Sequence, residues 1–185
     1  MFEKHGYEFT VIPSGVEEKI PEGLSPAETV LYLSFCKARD VEKKVLAAKE
    51  DSQTFIVGAD TIVWLPAENR VLGKPKDPED ARKMLRSLAN RVNVVFTGVT
   101  IIEAGTTNRK SFAVSSEVYM MDYPNDYIDA YVASGEPMDK AGGYALQGTQ
   151  ASKIEKVVGS TDNVIGFPWK EAEAEWTKMG FHNGR

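Results

Sequence analysis

The feature that most limits what this chain can become is a pair of long extended runs, Val92 to Glu103 and Phe112 to Met121, joined by the turn-forming stretch Gly105-Thr106-Thr107-Asn108. Two strands connected so briefly pair as neighbours in one sheet. Shorter elements are arranged around that hairpin. Tyr7, Phe9 and Val11 alternate with Glu8, Thr10 and Ile12 and predict a short strand ending at Pro13. Ser25 opens a helix, with Pro26 at its first position and Glu28 at capping-box spacing. Val30, Leu33, Lys37, Val41 and Val45 fall near one face of it, so Lys37 interrupts an apolar stripe. Thr54 to Val57 is a buried-strand pattern running into Gly58-Ala59-Asp60-Thr61 and then Ile62 to Leu65, and Arg70-Val71-Leu72 returns as a hairpin partner after Pro66-Ala67-Glu68-Asn69. Asp77-Pro78-Glu79-Asp80 starts a helix whose core face is Ala81, Met84, Leu85 and Leu88. Pro124 to Ser134 is a further helix, Glu136 to Gly148 a glycine-rich loop and Lys153 to Val158 a final strand; a last helix lies within Asn163 to Met179, restarted around Pro168. This mixture predicts an α/β fold with a mixed sheet.

The chain has 185 residues, 42% hydrophobic and 26% charged, a globular composition that suits one domain spanning residues 1–185. No apolar run approaches the roughly 20 residues a membrane-spanning helix needs, and Met1 is not followed by a basic stretch leading into an apolar one. The single cysteine, Cys36, cannot form an internal disulfide, so a reducing cytoplasm is expected. The net charge of −5 argues against a nucleic-acid polymer as partner, because that affinity rests on neutralising many phosphates. It leaves open a single nucleotide, which needs only a few local cations.

Several residues are candidates for chemistry, each with a plainer alternative. Asp60, after a buried strand, stands where a carboxylate holds a metal or orients water; it could equally cap a neighbouring backbone. Lys74, fixed between Gly73 and Pro75, could meet a phosphate as a point charge or be a solvated turn lysine. The stretch Lys140 to Gly148 holds Gly142, Gly143 and Gln147, whose amide could read a base edge. Alternatively it is a connection with Tyr144 in the core. Glu17-Glu18 could be a solvated pair and Lys37 a snorkelling side chain. His5 and His182 lack ligand-like spacing, and there is no P-loop, Gly-x-Ser-x-Gly or Gly-x-Gly-x-x-Gly.

Taken in order, these segments resemble one family. Glu17-Glu18, Lys37-Ala38, Gly58-Ala59-Asp60-Thr61, Gly73-Lys74-Pro75, Thr97-Gly98-Val99, Ala141-Gly142-Gly143-Tyr144-x-x-Gln147-Gly148 and Gly159-Ser160-x-x-Asn163-Val164-x-Gly166-x-Pro168 are similar to the Maf (septum formation) nucleoside triphosphate pyrophosphatases, from about Gly6 to Pro168. The resemblance implies hydrolysis of a dTTP- or UTP-type nucleotide to monophosphate and pyrophosphate with a divalent cation, Mg²⁺ or Mn²⁺. It implies a catalytic role for Asp60, Glu18, Lys37 and Lys74, metal binding by Asp60 and Glu18, and substrate binding by Thr61, Gln147, Gly142 and Gly143. It also implies two lobes about a nucleotide cleft, a homodimer and a cell-division-linked or housekeeping role.

The family's usual opening, a strand followed by a Ser-x-Ser-Pro-Arg-Arg phosphate loop, has no counterpart in these 185 residues, and Val92 replaces an aromatic or histidine. On the resemblance the chain is therefore expected to be N-terminally short and its turnover reduced. The alternative is a nucleotide-binding or partner-binding regulatory protein of the same fold.

Overall fold

The computed structural model describes residues 1–48 and 53–181, so His182 lies outside the described residues. Five strands form one sheet: β1 (Phe55–Leu65), β2 (Arg70–Leu72), β3 (Val92–Glu103), β4 (Arg109–Met120) and β5 (Ile154–Val158), in the order β2-β1-β3-β4-β5. Helices α1 (Pro26–Ala47), α2 (Pro78–Leu88), α3 (Asn125–Ala133), α4 (Thr161–Ile165) and α5 (Trp169–Lys178) flank it. The α/β class is as expected, but the sheet is not mixed: all four pairings are antiparallel. The reason lies in the connections. Short turns join β1 to β2 and β3 to β4, and a parallel pair would need a full crossover between adjacent strands.

β3 runs along β4 from Val92↔Tyr119 to Ile102↔Arg109 and along β1 from Val94↔Trp64 to Glu103↔Phe55, which makes it the spine of the sheet. Val95 packs toward α2 and α3 with Val63, Leu85 and Tyr131. Val99 and Ile101, further along the same strand, pack with Phe167, Trp169 and Trp176 from the α5 side. Under α1, Ala38 and Val45 meet Ile56 and Ile102. Three packed clusters thus share one sheet.

The Ser25 cap is formed as read from the sequence. Its side chain accepts the Glu28 N–H at 3.3 Å, and the Ser25 N–H donates to Glu28 Oε2 at 2.8 Å. Tyr7 to Ile12 is not a strand: it enters no ladder, and Phe9 and Val11 are exposed. Side chains hold this region instead, with Phe2 and Tyr7 edge-on to Trp169. His5 stacks on the same indole with ring centroids 3.8 Å apart. The expected break at Gly58–Thr61 is absent too, since β1 runs unbroken through it. No helix among the described residues is long and apolar enough to cross a membrane.

Candidate functional site

Two glycines set how closely α1 approaches the sheet. A Cβ on Gly58 would lie 2.7 Å from the Ser34 carbonyl oxygen, and one on Gly98 would lie 2.2 Å from that of Val30. Only glycine lets helix and strand backbones meet this closely. A hydroxyl row that starts buried and runs out to the surface ties the helix to the sheet: Ser34 Oγ is 3.0 Å from Thr100 Oγ1, both buried, and Thr100 Oγ1 is 2.8 Å from the exposed Ser111 Oγ.

Seated this way, α1 delivers Lys37 to Asp60 in the middle of β1. The Lys37 ammonium donates to Asp60 Oδ1 at 2.5 Å and pairs with Glu18 Oε1 at 2.8 Å. The loop carrying Glu18 is itself held by α1, through Gly15 N–H to Asp40 Oδ2 at 2.9 Å and Lys44 Nζ to the Pro13 carbonyl at 2.7 Å. Burial pushes the Asp60 carboxyl above its ordinary value even though the Lys37 hydrogen bond and charge pull it back. Burial also works against the Lys37 charge, but hydrogen bonds to Asp60 and Glu18 outweigh it and hold the ammonium above its usual value. The pair is therefore a protonated lysine against a carboxylate of increased basicity.

Neighbouring strand residues point to opposite faces, so Thr61 faces away from Lys37. Its hydroxyl meets Thr97 Oγ1 at 2.9 Å and the Gly166 carbonyl at 3.4 Å. Asn163, fully buried, ties the α4 segment to the sheet by donating to the Val95 carbonyl and to Ser116 Oγ, each at 3.0 Å. Thr97 donates back to the Asn163 carbonyl at 3.1 Å. The Asn163-Val164-x-Gly166 motif thus acts as a staple that presents Gly166 beside Thr61.

β2 covers only Val63–Leu65 of β1, so among the described residues no strand pairs with the outer edge of Phe55–Ile62. A cavity of about 800 Å³ wraps this edge. Glu18, Lys37 and Asp60 line one side of it, Thr61 and Gly166 the other, and Lys74 with the arm from Asp139 to Gln147 forms the far wall. Lys74 lies close enough for its charge to act on both Asp60 and Asp139.

Six of the residues singled out in the sequence, Glu18, Lys37, Asp60, Thr61, Lys74 and Gln147, therefore line one cavity. Gly142 and Gly143 are buried behind its wall, where they shape the backbone. Gly142 N–H donates to the Gly73 carbonyl at 2.9 Å, and at its φ of 69° an added Cβ would lie 3.2 Å from Val63. Tyr144 anchors the arm in the core through its hydroxyl to Asn93 Oδ1 at 2.6 Å. Lys140 and Asp139 also line the cavity. Their place in the same glycine-rich stretch was the sequence signal for them, but nothing local distinguishes a lining lysine from a solvated one.

Among the described residues no three His, Cys, Asp or Glu side chains gather as a metal cluster. Asp60 and Glu18 are the carboxylates that share Lys37. The basic residues of α2 and the turn after it are paired with acids, Arg82 with Asp129, Lys83 with Glu79, Arg86 with Asp122 and Arg91 with Glu68, so they form a mixed surface.

Fold and site define an α/β protein with a charged cleft of small-molecule size. The chain belongs to the Maf-like family, whose model, described as Maf-like protein, matches residues 1–179. It is 40% identical over 190 residues to the dTTP/UTP pyrophosphatase of Agathobacter rectalis, covering 97% of this chain and 91% of that one. It is 41% identical over 160 residues to the protein of the same name from Alkaliphilus metalliredigens, covering 86% and 79%. A third relative of that name, from Dictyoglomus turgidum, is 37% identical over 177 residues, covering 95% and 88%.

Proposed function

We propose that this protein is a nucleoside triphosphate pyrophosphatase that hydrolyses dTTP- and UTP-type nucleotides to monophosphate and pyrophosphate. The observation that carries the reading is the Lys37–Asp60–Glu18 cluster at the rim of a nucleotide-sized cavity, in a chain whose relatives are named dTTP/UTP pyrophosphatases. Alternation along β1 supports an orientation. The triphosphate lies on the α1 side against Lys37 and Lys74, and the base lies past the open edge toward Thr61 and Gln147.

In this reading Asp60 accepts the proton of the attacking water, and its burial, by raising its basicity, suits it to the task. Water adds at the α-phosphorus as the bond to the bridging oxygen breaks, and pyrophosphate leaves with its charge facing Lys37 and Lys74. Gln147 offers both donors and acceptors to the base.

Charge balance supports a divalent cation. Three lysines of the cavity, Lys37, Lys74 and Lys140, face three carboxylates, Glu18, Asp60 and Asp139, which leaves little net charge for a triphosphate carrying about four negative charges. Asp60 and Glu18 are hard oxygen donors of the kind that hold Mg²⁺ or Mn²⁺ together with substrate phosphates rather than as a complete protein cage. The residues fit a cation that completes its coordination with the nucleotide. When bound, it would neutralise phosphate charge. We place the enzyme in the cytoplasm on its lone cysteine, Cys36, and as a homodimer with a housekeeping or division-linked role on the family resemblance.

Asp60→Asn tests the reading. The amide is nearly isosteric but a far weaker base, so turnover should fall by about 10²–10⁴ with the fold intact. A folded variant within about tenfold of the parent removes Asp60 from the chemistry.

A further inference from the structure

The arm that forms the far wall of the cavity is closed at its base by one side chain. The Glu136 carboxylate accepts the Thr149 backbone N–H at 3.2 Å and the Thr149 hydroxyl at 2.9 Å. Tyr131, on α3, donates its hydroxyl to the same carboxylate at 3.4 Å. The Glu136 carbonyl accepts Lys140 Nζ at 2.7 Å. Residues 136 and 149 are thereby joined, and the cavity-lining side chains of Lys140 and Gln147 both lie between them.

Gly148 bears the imprint of this tether. Its φ is 110°, and a Cβ there would lie 2.1 Å from Glu136 Oε1. The carboxylate occupies the space a side chain would take. A second tie, from Gly142 N–H to the Gly73 carbonyl, joins the middle of the arm to the Lys74 segment. The arm is thus fixed at its two ends and once between them, and Glu136 makes the end-to-end closure without itself lining the cavity.

We propose that Glu136 is a positioning residue for base recognition: by closing the arm from 136 to 149 it holds Gln147 and Lys140 at the cavity wall in the geometry that reads the nucleotide. The inference rests on the reading of the cavity as a nucleoside triphosphate site. Without the tether both side chains must be ordered at the moment of binding, and that cost falls on affinity and on discrimination between bases rather than on the bond-breaking step at Asp60.

The test is steady-state kinetics of the parent, Glu136→Gln and Glu136→Ala with dTTP, UTP, CTP and GTP, beside thermal melts. In Glu136→Ala, KM for dTTP should rise on the order of tenfold. The preference for dTTP over GTP should narrow, and kcat should stay within about threefold of the parent. Glu136→Gln keeps one acceptor oxygen and should fall between the two. Unchanged KM and base preference in Glu136→Ala overturn the proposal. So does a kcat loss with the preference ratio intact, which marks a merely structural role. Should Glu136→Ala fail to fold, Thr149→Val removes the hydroxyl half of the tether and is judged by the same ratios. If the parent turns over no triphosphate, the pyrophosphatase reading fails separately. The arm is then read from equilibrium binding of the four nucleotides, where equal affinities and preferences in parent and variant, or no binding by either, overturn the inference.

Discussion

Gly98→Ala connects the packing of the sheet to the chemistry of the site. The added methyl would lie 2.2 Å from the Val30 carbonyl oxygen, 2.4 Å from its carbon and 2.8 Å from Leu31 N. These are backbone atoms of a helix, so no side chain can swing aside. The helix must retreat by about 1 Å to restore ordinary contact distances. Overpacking of this kind costs about 1–3 kcal/mol, and a rigid obstacle places it near the top of that range. Loss of glycine's freedom in the unfolded chain offsets about 0.4–1 kcal/mol. The net loss is about 2 kcal/mol, or about 4–8 °C in Tm for a chain of this length. Because α1 also carries Lys37 to Asp60, the same retreat should lower turnover, and misplacement by 1 Å can cost about 10²-fold. Gly73→Ala is the control for stability: nothing lies within 4 Å of its added Cβ, and it should stay within about 0.5 kcal/mol of the parent. Thermal and urea unfolding of both variants, with turnover alongside, give the comparison. A Gly98→Ala protein melting within about 1 °C of the parent would refute the argument that glycine sets the seat of α1.

Two further outcomes are expected. Gln147→Glu, on the exposed cavity wall, should change the turnover ratio among dTTP, UTP, CTP and GTP while leaving the melting temperature unchanged; an unaltered ratio counts against its reading the base. Because the outer edge of Phe55–Ile62 pairs with no strand among the described residues, a chain extended ahead of Met1 by about 15 residues, an apolar strand and Ser-x-Ser-Pro-Arg-Arg, should show higher Tm and turnover. Equal turnover with and without the extension would mean that this loop is not needed here.

The parts legible in the sequence were those fixed by local chemistry. The strand Val92–Glu103 has the bounds its pattern gave, and the Ser25–Glu28 box forms because cap and partner are three residues apart. The cavity residues were found through motifs, and the fold brings six of them together. What the sequence misplaced depends on distant partners. Tyr7 to Ile12 alternates like a strand, yet a strand exists only where another offers its edge, and aromatic contacts to α5 hold this region instead. Asp60 reads as a residue after a strand because Gly58 resembles a strand end; Gly58 is in fact the hollow that admits Ser34 and Ala38. Gly142 and Gly143, singled out for substrate binding, are buried at positive φ, a backbone geometry that the motif alone does not disclose. The Glu136–Thr149 tether spans 13 positions and carries no local signature.

The most direct test of the account is the identity of the products. The protein is incubated with dTTP and Mg²⁺ or Mn²⁺, and the phosphorus-containing products are separated and identified, with Asp60→Asn in parallel. The expected products are dTMP and pyrophosphate in equal amounts, with both all but lost in Asp60→Asn. Release of orthophosphate with dTDP, or undiminished product from Asp60→Asn, would contradict it.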